Sequence, residues 1–299
     1  MRAPRRHKGL LVAFAAAVVA TLALAPAALA GVILPEHGGS PNADRINTLY
    51  TVVLVLAAII FVGVEGALIY SMVRFRARKG AVAAQIRGNT RLEVGWTIGA
   101  AALIVILAGM TFALLPGIRE PENSDANGFR ASNGGILYAA GPVKRLPPNG
   151  KALNICVNGQ QYLWRYTYGA RCKDAPLNSV FSYETMVVPT GTTVTLDIVA
   201  QDVAHSWWIP ELGGKFDAIP GYTNYTWFKV PHGMEGRVFR GQCAELCGRN
   251  HANMIAHVKA VSPADFEQFL ASKKAQIEAA DAGAAASRQR LDRNPQANP

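Results

Sequence analysis

Cys243-Ala-Glu-Leu-Cys247-Gly-Arg-Asn-His251-Ala-Asn-Met254 places two thiols, an imidazole and a thioether in one short run, at intervals of four, four and three residues. A second imidazole, His205, stands upstream in Asp202-Val203-Ala204-His205-Ser206-Trp207. Soft sulfur ligands with imidazoles select copper among the biological metals, and a weak Met ligand points to electron transfer. Gly248 can reverse the chain inside the run, so a loop between two strands can aim Cys243, Cys247, His251 and Met254 at one spot. His205 must then arrive from the end of another strand. A rigid β scaffold supplies such a loop with a distant His, so the run predicts an all-β domain around it.

The flanking sequence agrees. Leu163–Tyr168, Met186–Val188, Thr192–Val199, Trp227–Val230 and Arg237–Arg240 read as short strands, with Pro189-Thr190-Gly191 and the Gly-containing loop 231–236 as turns. Many short strands with turn signals between them predict a sandwich or small barrel over 151–262. Ser262-Pro263-Ala264-Asp265 is a helix start, and an amphipathic helix is expected over 263–282. Residues 283–299, rich in Ala and Arg, are expected to be disordered. Residues 117–150, rich in Gly, Asn and Pro, read as a linker.

Half of the residues are hydrophobic (50%) and the formal net charge is +10, but neither is spread evenly. Two apolar runs, 47–73 and 94–115, each exceed the ~20 residues that span a bilayer. They predict two transmembrane helices within 45–116. Between them lie Arg74, Arg76, Arg78, Lys79, Arg87 and Arg91. Positive loops stay cytoplasmic, so both outer ends, and everything after Pro116, face the extracytoplasmic side of a bacterial-type cell membrane. Residues 1–30 have a basic start, an apolar stretch and Ala28-Leu29-Ala30, which is a signal peptide with its cleavage site; a retained membrane helix is the alternative. From 117 to 270 cations and carboxylates nearly balance. The basic excess therefore reflects topology in the lipid bilayer, and no nucleic-acid surface is indicated.

One thiolate, two His and a Met would make a mononuclear blue-copper site. Two thiolates can instead bridge two copper ions and spread the electron over both. A Cys2His2 zinc site would leave Met254 unexplained. A Cys243–Cys247 disulfide and a copper storage module also compete for the same residues. Cys156 and Cys172 flank the aromatic strand outside the membrane. Either they close a disulfide, adding about 3 kcal/mol on the loop-entropy model, or they are separate buried thiols. His232 and His257 read as structural.

Two outward-ended membrane spans followed by a β domain with Cys-x-x-x-Cys-x-x-x-His-x-x-Met resemble subunit II of the haem-copper cytochrome c oxidases, over roughly residues 40–275. The resemblance implies a cupredoxin-like Greek-key barrel holding the binuclear CuA centre. Its two copper ions would be held by His205, Cys243, Cys247, His251 and Met254, with the backbone carbonyl of Glu245. The Glu245 side chain would also reach a magnesium ion shared with subunit I. Lys215-Phe216-Asp217-Ala218-Ile219-Pro220-Gly221 is similar to the family loop that faces subunit I, the haem- and CuB-bearing partner. This chain would accept electrons from a cytochrome c and pass them to the haem of subunit I, where oxygen is reduced to water and protons are translocated. Other oxidase subunits would complete the complex.

Glu93, in Leu92-Glu93-Val94-Gly95-Trp96, matches the family's acid near a proton pathway; a solvated acid beside Arg91 is the alternative. Glu65, deep in the first span, is either a proton-conducting or subunit-contact acid, or a neutral Glu bonded to a neighbouring helix. Gln161-Tyr162-Leu163-Trp164-Arg165-Tyr166 is similar to the family's aromatic segment, but Tyr162 stands where a Trp receives electrons from cytochrome c. Tyr162 and Trp164 are the candidates for electron uptake, Trp164 being otherwise a core aromatic. The near-neutral domain, with Asp202 as one retained acid, suits a membrane-tethered or complex-bound cytochrome better than a strongly basic soluble one. A quinol oxidase subunit II would lack the copper ligands, and nitrous oxide reductase needs a propeller for which the chain has no room.

Overall fold

The structure, a computed structural model, describes residues 34–76, 80, 82, 85–129, 146–169, 171–173 and 179–293. The expected signal peptide, Arg78, Lys79, the linker residues 130–145 and residues 294–299 lie outside the described residues.

Helices α1 (Pro41–Arg74) and α2 (Thr90–Arg119) contain the two apolar runs. Pro41 opens α1 where its missing N–H costs nothing. Asn89 caps α2 by accepting from the Leu92 amide at 3.3 Å. At about 1.5 Å rise per residue each helix is longer than a ~30 Å hydrocarbon layer. None of the most apolar stretch of either helix is buried within the chain, as a bilayer-spanning hairpin requires.

The β domain is two five-stranded sheets face to face. Its strands are β1 (Leu153–Gln160), β2 (Leu163–Tyr168), β3 (Phe181–Tyr183), β4 (Thr185–Pro189), β5 (Thr193–Ala200), β6 (His205–Trp208), β7 (Phe216–Ala218), β8 (Asn224–Lys229), β9 (Val238–Cys243) and β10 (Ile255–Val261). The first sheet runs β3-β2-β1-β5-β8 and the second β4-β10-β9-β6-β7. β1 pairs parallel with β5, and β10 with β4, while the remaining pairs are antiparallel. This is the cupredoxin-like architecture expected. β10 alternates buried and open positions, with Ala256, Val258 and Ala260 inward. β1 and β5 are buried almost throughout, because the outer side of their sheet is also covered. Cys156 and Cys172 form a disulfide there, with the Cys172 sulfur 3.3 Å from the Asp197 carbonyl.

Two boundaries differ from the sequence expectation. Helix α3 (Pro263–Arg293) does not stop near 282: it continues through residues expected to be disordered. Ala, Arg and Gln are among the strongest helix formers, so a segment with little to bury is still helical. Only its first turns are anchored, with Phe266 buried and Phe269 and Leu270 packed on the core. The start of the expected linker is an ordered strap. Thr193 takes hydrogen bonds with Glu122 O (2.6 Å) and Ser124 Oγ (3.0 Å), and Phe129 stacks edge-on against Phe266 at 4.9 Å.

Helix hairpin and β domain meet at a polar joint. Asn42 Nδ2 donates to the Trp227 carbonyl at 2.8 Å, and the Lys229 amide donates to Ser40 Oγ at 3.0 Å. The Trp227 indole N–H donates to the Ile118 carbonyl at 2.9 Å. Arg45 joins the Gly117 carbonyl to the Glu122 carboxylate, 2.7 Å away.

Candidate metal centre

β9 ends at Cys243 and β10 starts at Ile255, so the ligand run is the loop of a hairpin. The Cys243 amide closes it by donating to the Met254 carbonyl at 2.9 Å. Gly248, at φ +132°, turns the chain where a side chain would collide: a Cβ would lie 2.6 Å from the Tyr162 hydroxyl. A short turn over His251–Asn253 returns the loop to β10. His205 opens β6, which pairs with β9 through Trp207 and Cys243. The Ala244 amide donates to the Ser206 carbonyl at 2.8 Å, which holds the loop against the His205 strand.

Five side chains and one carbonyl converge. The two sulfurs of Cys243 and Cys247 are 3.9 Å apart. His205 Nδ1 lies 3.9 Å from the Cys243 sulfur, and His251 Nδ1 lies 3.6 Å from that of Cys247. Met254 Sδ is 3.8 Å from the Cys247 sulfur, and the Glu245 carbonyl oxygen is 3.2 Å from that of Cys243. His205, Cys243, Cys247 and Met254 are buried, while His251 is half-buried. Thiolate sulfurs bond a metal at about 2.3 Å, so one ion fits between two sulfurs at this separation. Each sulfur also has its own imidazole beside it, and Met254 adds a thioether that a four-ligand Cys2His2 site would not use. The donor set, soft sulfur with imidazole and thioether, is that of copper.

Burial raises the Cys243 thiol, but hydrogen bonds from His205 and from the backbone at Glu245 and Ser206 outweigh it and bring the pKa to about 6. Cys247 is pushed up to about 11, by burial first and then by the negative charge of Cys243. Burial opposes protonation of His205, yet hydrogen bonds to Cys243 and Asp202 lift it above its ordinary value.

Two residues that the ligand pattern does not reveal support the site. Asp202 Oδ1 accepts from His205 Nε2 at 2.9 Å and from the Val203 amide at 2.7 Å, while Oδ2 accepts from the Gln161 amide at 2.7 Å. Gln161 Nε2 donates to the Cys247 carbonyl at 2.7 Å. Burial raises the Asp202 carboxyl, but the Gln161 amide, His205 and the Val203 amide hold it below the usual carboxylate range. The spacing Asp-x-x-His was the one available signal for Asp202.

Other candidates fall in several places. Trp164 is fully buried, edge-on to His205 at 5.8 Å between ring centres. Tyr162 is half-buried, its hydroxyl against Gly248. The Glu245 side chain and Leu246 project outward, Leu246 being 78% exposed. β7, within the segment 215–221, lies beside His205, which pairs with Ala218. Glu93 sits in the first turn of α2, where its Oε1 accepts from the Asn89 amide at 3.3 Å, far along the chain from the metal ligands. Glu65 is half-buried midway along α1. His232 lies 3.6 Å from Asp125 of the strap, and His257 sits in β10.

Residues 28–114 match the transmembrane domain of cytochrome c oxidase subunit II, and residues 171–261 match its periplasmic domain. The chain is 30% identical to cytochrome c oxidase subunit 2 of Cereibacter sphaeroides over 253 residues, covering 79% of this chain and 80% of that one. It is 30% identical over 272 residues to cytochrome c oxidase subunit 2 of Thermostichus vulcanus, covering 81% and 79%. Among solved structures, the periplasmic domain of cytochrome oxidase subunit II (CoxB) of Bradyrhizobium japonicum is 30% identical. It covers 42% of this chain and 96% of that one, with a TM-score of 0.37.

Proposed function

Because the chain belongs to the cytochrome c oxidase subunit II family, we propose that it is the electron-accepting subunit of a proton-translocating haem-copper oxidase. It takes electrons from a cytochrome c at a binuclear CuA centre and passes them to the haem of subunit I. The observation that carries this is the convergence of His205, Cys243, Cys247, His251 and Met254, with the Glu245 carbonyl, around two sulfurs 3.9 Å apart. When bound, two copper ions share one unpaired electron, so that little geometry changes as it arrives and leaves. The residues of the chain supply the rest. Cys243 and Cys247 would supply the thiolates, His205 and His251 the imidazoles beside them, and the buried Met254 a thioether that also keeps water out.

The same reading assigns the remaining roles. Glu245, exposed on the ligand loop, would offer its carboxylate to a magnesium ion shared with subunit I. The segment 215–221 beside His205 faces that subunit. Tyr162 is the electron-uptake contact, since it reaches both the surface and the ligand loop, while Trp164, buried against His205, relays inside. Glu93 stands at the cytoplasmic mouth of a proton route, and the β domain lies outside a bacterial-type membrane after removal of residues 1–30. The donor is a cytochrome c tethered to the membrane or bound in a complex with the oxidase.

Copper content and electron paramagnetic resonance of the purified oxidase test this. Two coppers per chain with one delocalised electron are expected. A single copper with a four-line spectrum, or zinc, would overturn it. A quinol oxidase subunit of this fold is disfavoured by the complete ligand set.

A further inference from the structure

The turn between β1 and β2 reaches the metal centre from two sides. Through its backbone N–H, Gln161 holds Asp202, and Asp202 holds the far nitrogen of His205. Through its side chain, Gln161 holds the carbonyl of Cys247. Tyr162, next in sequence, lies against Gly248 of the same ligand loop. Both carboxylate oxygens of Asp202 are engaged, Oδ1 by His205 and Val203 and Oδ2 by Gln161. The ring of His205 is completely buried, so its Nε2–H has no water to bond and depends on this acceptor. A carboxylate on one imidazole nitrogen fixes the tautomer, leaves the lone pair on the other, and sets the ring's direction. Here the free nitrogen is Nδ1, the one aimed at Cys243.

We propose that Asp202 and Gln161 are positioning residues of the copper centre, a bridge that locks the donor-facing turn to His205 and Cys247 at once. Asp202 orients His205 and places a negative charge beside the centre, which favours its oxidised form. Gln161 holds Tyr162 and the Cys247 half of the loop at a fixed separation, so that an electron arriving at Tyr162 meets a rigid path. The inference rests on the copper reading above.

The whole oxidase carrying Asp202→Asn, Asp202→Ala or Gln161→Ala decides it, with native enzyme assayed first for two coppers; their absence there would sink the copper reading, not the bridge. Asparagine keeps an acceptor for His205 and removes the charge, while its amide nitrogen, facing the Gln161 N–H, gives up that hydrogen bond. The expected result is full copper content, an unchanged resonance spectrum and a raised midpoint potential of the copper centre. Alanine removes the acceptor too, so copper affinity should fall by about 10–100-fold and the copper hyperfine pattern should change. With Gln161→Ala, reduction by cytochrome c should slow at unchanged copper content. A native midpoint potential in Asp202→Asn, or an unaltered spectrum and copper content in Asp202→Ala, overturns the role of Asp202. An unchanged reduction rate in Gln161→Ala overturns that of Gln161.

Discussion

The two cysteines are chemically alike and electrostatically opposite. Without metal, Cys243 is held down to about 6 by His205 and backbone amides, and Cys247 is driven up to about 11 by burial and by its neighbour's charge. Near neutral pH the pair therefore carries one negative charge and one proton. Metal needs both thiolates and a bare Nδ1 on His205, so loading must expel the Cys247 proton and any proton that His205 shares with Cys243. Protons compete with copper, and affinity should rise by at least about tenfold per pH unit between about pH 7 and 9. Below about 6, where Cys243 also takes up a proton, the slope should steepen. Copper titration of the metal-free oxidase against a competing chelator measures this, and a flat profile would count against it. The ligand residues themselves were legible in the sequence, because their spacing in one loop is local. Gln161 was not legible as a site residue, and Asp202 only through its spacing of three residues from His205. Their hydrogen bonds to Cys247 and to each other cross between distant segments, and only the packed sheets bring those segments together.

At the scale of elements, periodicity and composition exposed the strands and both spans, since alternation and length are local properties. The extent of α3 and the ordered strap escaped for opposite reasons. Nothing around 283–293 needs burial, yet propensity alone carries the helix on. Residues 120–129 look like a linker by composition, yet they are fixed by Thr192, Thr193 and Phe266, partners far away in sequence. The disulfide is an element-scale device as well. It ties β1 to the segment after β2 across a separation of 16 residues, on the covered outer side of the first sheet and away from the ligand loop. Replacing Cys156 and Cys172 together with Ser should cost about 3 kcal/mol on the loop-entropy model. Denaturant unfolding of the oxidase's β domain, followed by near-ultraviolet dichroism, reads the loss. The copper spectrum should stay native, and a changed one would show that the bridge supports the site itself.

For the whole molecule, the ligand loop and the membrane helices lie in separate parts of the chain, and on the proposed function what connects them sets where the electron leaves. The connection consists of buried polar contacts. Ser40 and Asn42 are almost fully buried, and Asn42 bonds both Ser40 and the Trp227 carbonyl. Arg45 clamps the outer end of α2 through Gly117 and Glu122, and the Trp227 indole closes the remaining gap to Ile118. Polar joints of this kind are directional, so they fix orientation where an apolar contact would allow sliding. Asn42→Ala removes the side-chain donor to the Trp227 carbonyl and the acceptor of the Ser40 hydroxyl, which then keeps only the bond it accepts from the Lys229 amide, at about 1–3 kcal/mol. That is enough to shift a docked arrangement toward a loosened one by about fivefold or more. None of these residues touches the ligand loop, so copper content, spectrum and midpoint potential should remain native. On the proposed function, electron transfer from the copper centre to the haem of subunit I would fall off steeply with distance, so it should slow in Asn42→Ala and slow further when Arg45→Ala is added. Flash-induced single-electron injection, read at the copper and haem bands, separates that step from electron uptake. If the internal step keeps its native rate in the double variant, contacts with subunit I alone hold the centre in place, and the joint serves assembly instead.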